Sequence, residues 1–515
     1  MREGGRSNEG GKHGRGEMWR REPDRASGNR RQVFIKKSRS STSLAIFQKL
    51  PQFHRIDSHV PKQDANPYRQ ILRRHVPEPV LALLMFLMGV WLWENHFGEA
   101  IGYEQGTCRI ALVKIDRDLR LAEATAGLPP LLRTVLAIDD REKVLKTAVD
   151  MLDVLGTEQA LSQEGKYALA ILEPLRRGRD PATGPFAALG LLPPDPDSIE
   201  RRILAGSDAW WDREFLRKTG RPGASEVALP AGAGESDPRN RGLALRAIVA
   251  RGAVWLLVLA GLGFLPHVFR SYARALRSRG QGYTGHWPVA LGIAVFLLAY
   301  LASLGFGKAI DFSISGVPGG EGAAPVALPS WLFVLLDAAA RFVPALIALG
   351  LLFRRGRHAV DRLGLAARPD GALVLGSFAL LAGVDQILRH TLGASAAPDP
   401  TGGLSPMESG PWGLILALSS ACIAAPVAEE ILYRGVLFRS LANRLRVPAA
   451  TLLSATVFAI VHFYTAYGLV SVGMLGAACA LSFAATGRLT TAILLHALYN
   501  SAIKIPEWIV YHAPL

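Results

Sequence analysis

Three short patterns in the last hundred residues of this 515-residue chain place ionisable groups at helical spacing. They read Glu429-Glu430-x-x-x-Arg434, Phe458-x-x-x-His462 and His496-x-x-x-Asn500. Each lies in an apolar stretch, where a charged side chain costs about 2.5 kcal/mol or more to bury in lipid. Residues four apart share one face of a helix, so Glu430 and Arg434 can pair and His496 and Asn500 project side by side. Glu429 lies about 100° round the helix from Glu430, so the two carboxylates can serve different roles. One is held by Arg434 while the other turns into a pocket. Carboxylate, imidazole and amide groups converging in this way suit general acid–base chemistry. Taken singly, each has a plainer reading: Glu430–Arg434 as a helix ion pair, each histidine as a helix–helix hydrogen bond, Phe458 as packing. Taken together, three ordered patterns at one depth are not explained by packing.

The elements that must position these residues are apolar runs. They fall at about 76–97, 248–268, 287–306, 330–353, 371–388, 411–430, 447–465, 468–486 and 489–505, long enough by the roughly 20-residue requirement for nine spans. Arginines recur after the even-numbered spans (Arg270, Arg274 and Arg277; Arg354, Arg355, Arg357 and Arg362; Arg439, Arg444 and Arg446; Arg488). The positive-inside rule then puts the N-terminus in the cytoplasm. Counted from Arg444 and Arg446, Glu429 and His462 lie 15 and 16 residues in, about 22–24 Å at 1.5 Å per residue. His496 and Asn500 lie 8 and 12 residues beyond Arg488, about 12–18 Å. One intramembrane pocket can hold them all. Asp337 and Arg341, also four apart in an apolar run, read as a self-neutralising structural pair.

Composition agrees with a membrane protein. Half the residues are apolar, a fifth are charged, and 58 Lys+Arg against 43 Asp+Glu give +15. A wholly soluble enzyme is excluded on the length of the apolar runs. Residues 1–75 hold 18 Lys/Arg and 7 Asp/Glu with many Gly and Ser, which predicts a basic, disordered cytoplasmic tail facing anionic lipid rather than nucleic acid. Residues 98–218 predict a small helical extramembrane domain, Val144, Ala148, Leu152 and Leu155 recurring at helical spacing, with a candidate partner-binding role. A Gly/Pro/Ala linker at 219–240 leads into spans two to five at 241–409, and the motif-bearing core occupies 410–515. The fold class expected is all-α, a polytopic bundle of about nine spans. Cys108, Cys422 and Cys479 make no disulfide framework and no zinc spacing.

At the three motifs the chain resembles the CAAX prenyl endopeptidase/bacteriocin-processing (CPBP) family of intramembrane proteases, over about residues 410–503. The resemblance implies a helical core whose motifs face one cavity, and a glutamic-type endopeptidase needing no cofactor. It assigns the base role to Glu429, which with His462 would activate water. His496 and Asn500 would stabilise the oxyanion. Glu430 and Arg434 would orient the site, with Phe458 beside them. The substrate class implied is a membrane-tethered protein or peptide, in the inner membrane of a bacterium, with the lipid bilayer as the other partner.

Other readings stay open. Glutamate with two histidines can bind zinc, which ranks lower because HExxH is absent and the ligands would come from three helices. The fold can serve without cutting, as a membrane scaffold or immunity-type binding protein. Intramembrane acids and histidines also mark transporters, against which no inverted repeat is evident. GxSxG, Walker A and GxGxxG patterns are absent.

Overall fold

The computed structural model describes residues 105–157, 161–204, 209–219, 238–278, 287–315, 329–353, 356–392, 418–462 and 466–513, with Ile415 and parts of 82–90. The chain divides into Met1–Ala65 and Asn66–Leu515, and all described residues belong to the second unit. The expected tail at 1–75, nearly all of the linker at 219–240 and most of the first span at 76–97 lie outside the described residues, as does the side chain of Asp337. Among the described residues the regular structure is helical, with no strand.

Among the described residues from 105 to 219 six α-helices precede the bundle: α1 Gln105–Ala124, α2 Pro130–Val135, α3 Arg141–Thr157, α4 Gln163–Arg176, α5 Pro196–Leu204 and α6 Trp210–Thr219. Local signals explain their ends. Pro130 opens α2, where its missing N–H costs nothing. Ser162 caps α4, its Oγ accepting the Gly165 N–H at 3.1 Å. The apolar faces of α1, α3, α4, α5 and α6 share one core that includes Leu119, Leu152, Ile171, Trp211 and Phe215, with Phe186 from the connection after α4.

The bundle follows with α7 Pro238–Leu262, α8 Leu265–Arg277, α9 Val289–Ser315, α10 Ser330–Leu352, α11 Gly356–Leu363 and α12 Gly371–Leu392. Next comes a helical run of mixed pitch: a π-type segment Ser420–Ala424, α13 Ala425–Glu430, a second π-type segment Ile431–Phe438, and α14 Arg439–Leu441. The last three helices are α15 Val447–Ile460, α16 Ala466–Thr486 and α17 Leu489–Tyr511. Phe296, Phe438, Phe458, Phe483, Leu489 and Tyr499 lie in their common core.

Nine spans were expected; among the described residues four helices are long and apolar enough to cross a membrane, Pro238–Leu262, Val289–Gly307, Gly371–Arg389 and Tyr467–Thr486. Two shorter apolar helices, Ala338–Leu352 and Val447–Ile460, match parts of other expected spans. The 14-residue α15 is about 21 Å long, short of a hydrocarbon core of about 30 Å. The helix α17 is long but carries Lys504 and Glu507. The expected second span at 248–268 is displaced: α7 begins ten residues earlier, at Pro238, and ends at Leu262. Pro266 then opens the separate helix α8.

The first six helices do not hang free of the bundle. Leu121, Leu136 and Ile138 pack with Leu243, Ala244 and Ala247 of α7 and Val510 of α17. Ala137 adopts the left-handed conformation at φ 53°, and the Arg251 guanidinium donates to the carbonyls of Leu136 (3.0 Å) and Ala137 (2.9 Å). The Trp255 indole donates to the Val135 carbonyl at 2.6 Å. The Tyr511 hydroxyl donates to Asp118 at 2.7 Å.

Candidate active site

The two carboxylates end α13, between the two π-type segments. A π turn accommodates an extra residue relative to the α-helix and is common at functional sites. Here it brings Glu430 and Arg434, both fully buried, to 2.8 Å between Oε1 and Nη1. A second guanidinium nitrogen of Arg434 donates to the Gly476 carbonyl of α16 at 3.0 Å. Its face lies 4.3 Å from the Phe458 ring centroid, a desolvated cation–π contact. One buried arginine is thus fixed by three helices.

His496 of α17 completes this cluster. Its Nδ1 lies 2.8 Å from the same Glu430 Oε1 that Arg434 contacts, and the ring is 3% exposed. With Nδ1–H given to Glu430, the ring's Nε2 is left to face Glu429, at 3.9 Å from Oε2. His462 sits at the turn after α15. Its Nδ1 is bound at 2.6 Å to the Phe458 carbonyl, and its Nε2 lies 4.0 Å from the same Glu429 oxygen. The backbone carbonyl fixes one ring and the buried carboxylate fixes the other, the usual means of selecting an imidazole tautomer. Glu429 and His462 are about a quarter exposed, while their supports are buried. The more accessible part of the cluster is therefore distinct from the part that holds it.

Phe458 is buried between these groups, its ring edge-on to His462 at 4.7 Å and to His496 at 5.7 Å. Asn500 is placed differently from its neighbours. Its amide donates at 2.9 Å to the Ala421 carbonyl in the first π-type segment, tying α17 to the glutamate-bearing run. An asparagine amide has two N–H donors, and this bond uses one.

A second polar cluster was not read from the sequence. Asp385 of α12 accepts hydroxyls from Ser471 (2.7 Å), Tyr467 (2.8 Å) and Tyr499 (3.4 Å). Tyr467 follows His462 by five residues, and Tyr499 adjoins Asn500. The cluster therefore ties α12 to α16 and to α17, the helix that carries His496. Its signal was present, an aspartate within the run at 371–388, but three residues from the run's end it reads as a boundary charge.

Glu429, His462 and His496 are the residues that would hold zinc. Ligands of a tetrahedral zinc with bonds of about 2.0–2.2 Å stand about 3.4 Å apart. The 3.9 and 4.0 Å separations are wider. Among the described residues no group of three His, Cys, Asp or Glu has the geometry to hold a metal ion.

Residues 411–502 match the family described as type II CAAX prenyl endopeptidase, Rce1-like, the resemblance to which the three motifs pointed. The matched segment covers less than a fifth of the 515 residues and includes all seven residues of the three motifs. No curated protein and no solved structure matches the chain. The matched segment is similar to a protease family, and the four long apolar helices among the described residues make this a membrane protein.

Proposed function

We propose that the protein is an intramembrane endopeptidase of the glutamic type that hydrolyses a peptide bond in a membrane-tethered protein or peptide. The observation that carries this is the convergence of two imidazole Nε2 atoms on one oxygen of Glu429, at 3.9 and 4.0 Å. An oxygen atom about 2.8 Å from each partner spans such a gap, so one water can be held by the carboxylate and an imidazole together.

In this reading Glu429 takes a proton from that water, aided by His462, as the oxygen bonds to the substrate carbonyl carbon. The carbonyl π electrons move to its oxygen. His496, held in place by Glu430, and the second N–H of Asn500 donate to that oxyanion. The tetrahedral species collapses as the C–N bond breaks, and the proton held at Glu429 passes to the leaving nitrogen. Glu430, Arg434 and Phe458 keep the donors in place. The topology proposed is a cytoplasmic N-terminus in a bacterial inner membrane, with α1–α6 on the outer side, where they can meet a partner.

The test compares membrane-associated and released proteomes of the host expressing wild type or Glu429→Ala at equal protein levels. Precursors that accumulate uncleaved with Glu429→Ala support the reading and name the substrate. Identical protein termini would overturn it in favour of a non-cutting scaffold or immunity-type protein. Metal content of the purified protein, with activity before and after chelation, decides against zinc if activity survives in metal-free protein.

A further inference from the structure

The helix α8 divides into three faces. Val268, Ser271, Tyr272 and Ala275 are buried against the bundle. Phe269 and Leu276, about a quarter turn away, are 56% and 41% exposed. Arg270, Arg274 and Arg277 form a ridge on the far side, about 180–240° from the buried face. The contacts of Arg270 and Arg274 are with their own helix: Arg270 donates to the Pro266 carbonyl, Arg274 to the Arg270 carbonyl and the Ser271 hydroxyl. Among the described residues none of the three arginines is paired with a carboxylate.

The position of α8 across its neighbours fixes its depth. The Tyr272 hydroxyl meets Ser377, six residues into α12, and Ser482, four residues from the end of α16. The His267 ring meets Asp370, just before α12. These depths are about 6–9 Å from the helix ends, within the 5–10 Å at which interfacial helices bury their apolar faces. This end of the bundle also carries Arg368, Arg446 and Arg488, each at or near a helix start.

We propose that α8 lies in the plane of the membrane interface, Phe269 and Leu276 dipping among acyl chains and the ridge of Arg270, Arg274 and Arg277 gripping anionic phospholipid headgroups. Charge complementarity selects this occupant, because a cationic ridge with no carboxylate partner among the described residues, flanked by an exposed apolar stripe, matches a headgroup above its acyl chains. The assignment is independent of any proteolytic activity.

Full-length protein reconstituted in phosphatidylcholine vesicles, with trace spin-labelled phosphatidylglycerol or phosphatidylcholine, gives the test. Wild type is expected to restrict phosphatidylglycerol in preference to phosphatidylcholine by about two- to fivefold. The R270Q/R274Q/R277Q variant should lower that ratio clearly, leaving only the share due to the basic residues of 1–75 and to Arg368, Arg446 and Arg488, and raised salt should bring it close to one. A ratio of one in wild type, or an undiminished ratio in the variant, overturns the proposal. A second measurement does not depend on that variant. A nitroxide on F269C should be relaxed mainly by oxygen, and one on R274C mainly by an aqueous nickel chelate. Equal aqueous exposure at both sites would refute the in-plane placement.

Discussion

Glu430 is the residue whose removal separates support from chemistry. Its single oxygen serves Arg434 and His496 at once, both at 2.8 Å and both buried. Breaking one side of a buried ion pair costs about 3–5 kcal/mol. Glu430→Gln should therefore lower the thermal unfolding temperature of detergent-solubilised protein and reduce kcat with little change in KM. Glu429→Gln should abolish cleavage with unfolding temperature nearly unchanged. Asp385→Ala removes the acceptor of three hydroxyls, and hydrogen bonds to a charged group contribute about 1.5–3 kcal/mol each. It should destabilise the protein by about 3 kcal/mol, measured by the same unfolding assay, and Asp385→Asn should recover part of that. The Glu430–Arg434 pair was legible because four-residue spacing is local information. The Glu430–His496 bond was not, because it joins side chains 66 positions apart. Asp385 was missed for the same reason, its partners being uncharged hydroxyls on two other helices.

At the scale of elements, the close approach of α15 and α16 matters most. A Cβ on Gly476 would meet Phe458 at 3.1 Å, and Arg434 Nη2 and the Ala455 Cα at 3.3 Å. Gly476→Ala should push the arginine from its ring and cost about 1–3 kcal/mol, visible as a lower unfolding temperature together with lost activity. The start of α12 offers a test by pH. Burial alone would raise the Asp370 carboxyl, but the Leu373 N–H, the His267 ring and Arg488 outweigh it and hold it below the ordinary value. A depressed folded-state value favours the folded protein above the unfolded value of about 3.9. That advantage is lost as pH falls through the folded value. Wild type should thus exceed Asp370→Asn in unfolding temperature at pH 7, with the gap closing below about pH 4. Hydrophobic runs made the existence of most helices legible. Their limits were not: Arg241 and Arg246 precede the expected run, yet α7 carries them together with Arg251, which is spent on carbonyls of the turn after α2. The change of pitch around Glu429 left no trace in the apolar pattern, because π and α turns bury the same residue types.

For the whole molecule, the proposed topology predicts the fate of reporter fusions. Alkaline phosphatase joined after Arg177 should be active, and joined after Ser278 inactive; the opposite pattern would invert the assignment. The helices α1–α6 join the bundle through carbonyls of the turn after α2 and through Tyr511, which bonds to Asp118 across 393 positions of sequence. The apolar cluster at that junction likewise needs both Leu121 and Val510. Such a contact has a consequence for biosynthesis. Chains emerge at about 5–20 residues per second, so α1–α6 can condense on their own core well before their partner on α17 exists. Docking on α7 can begin earlier, but the contacts with α17 must wait until Val510 and Tyr511 have been made. A chain halted after Asn500 would contain every residue of the three motifs and still lack the Tyr511 bond to Asp118 and the contribution of Val510 to the junction.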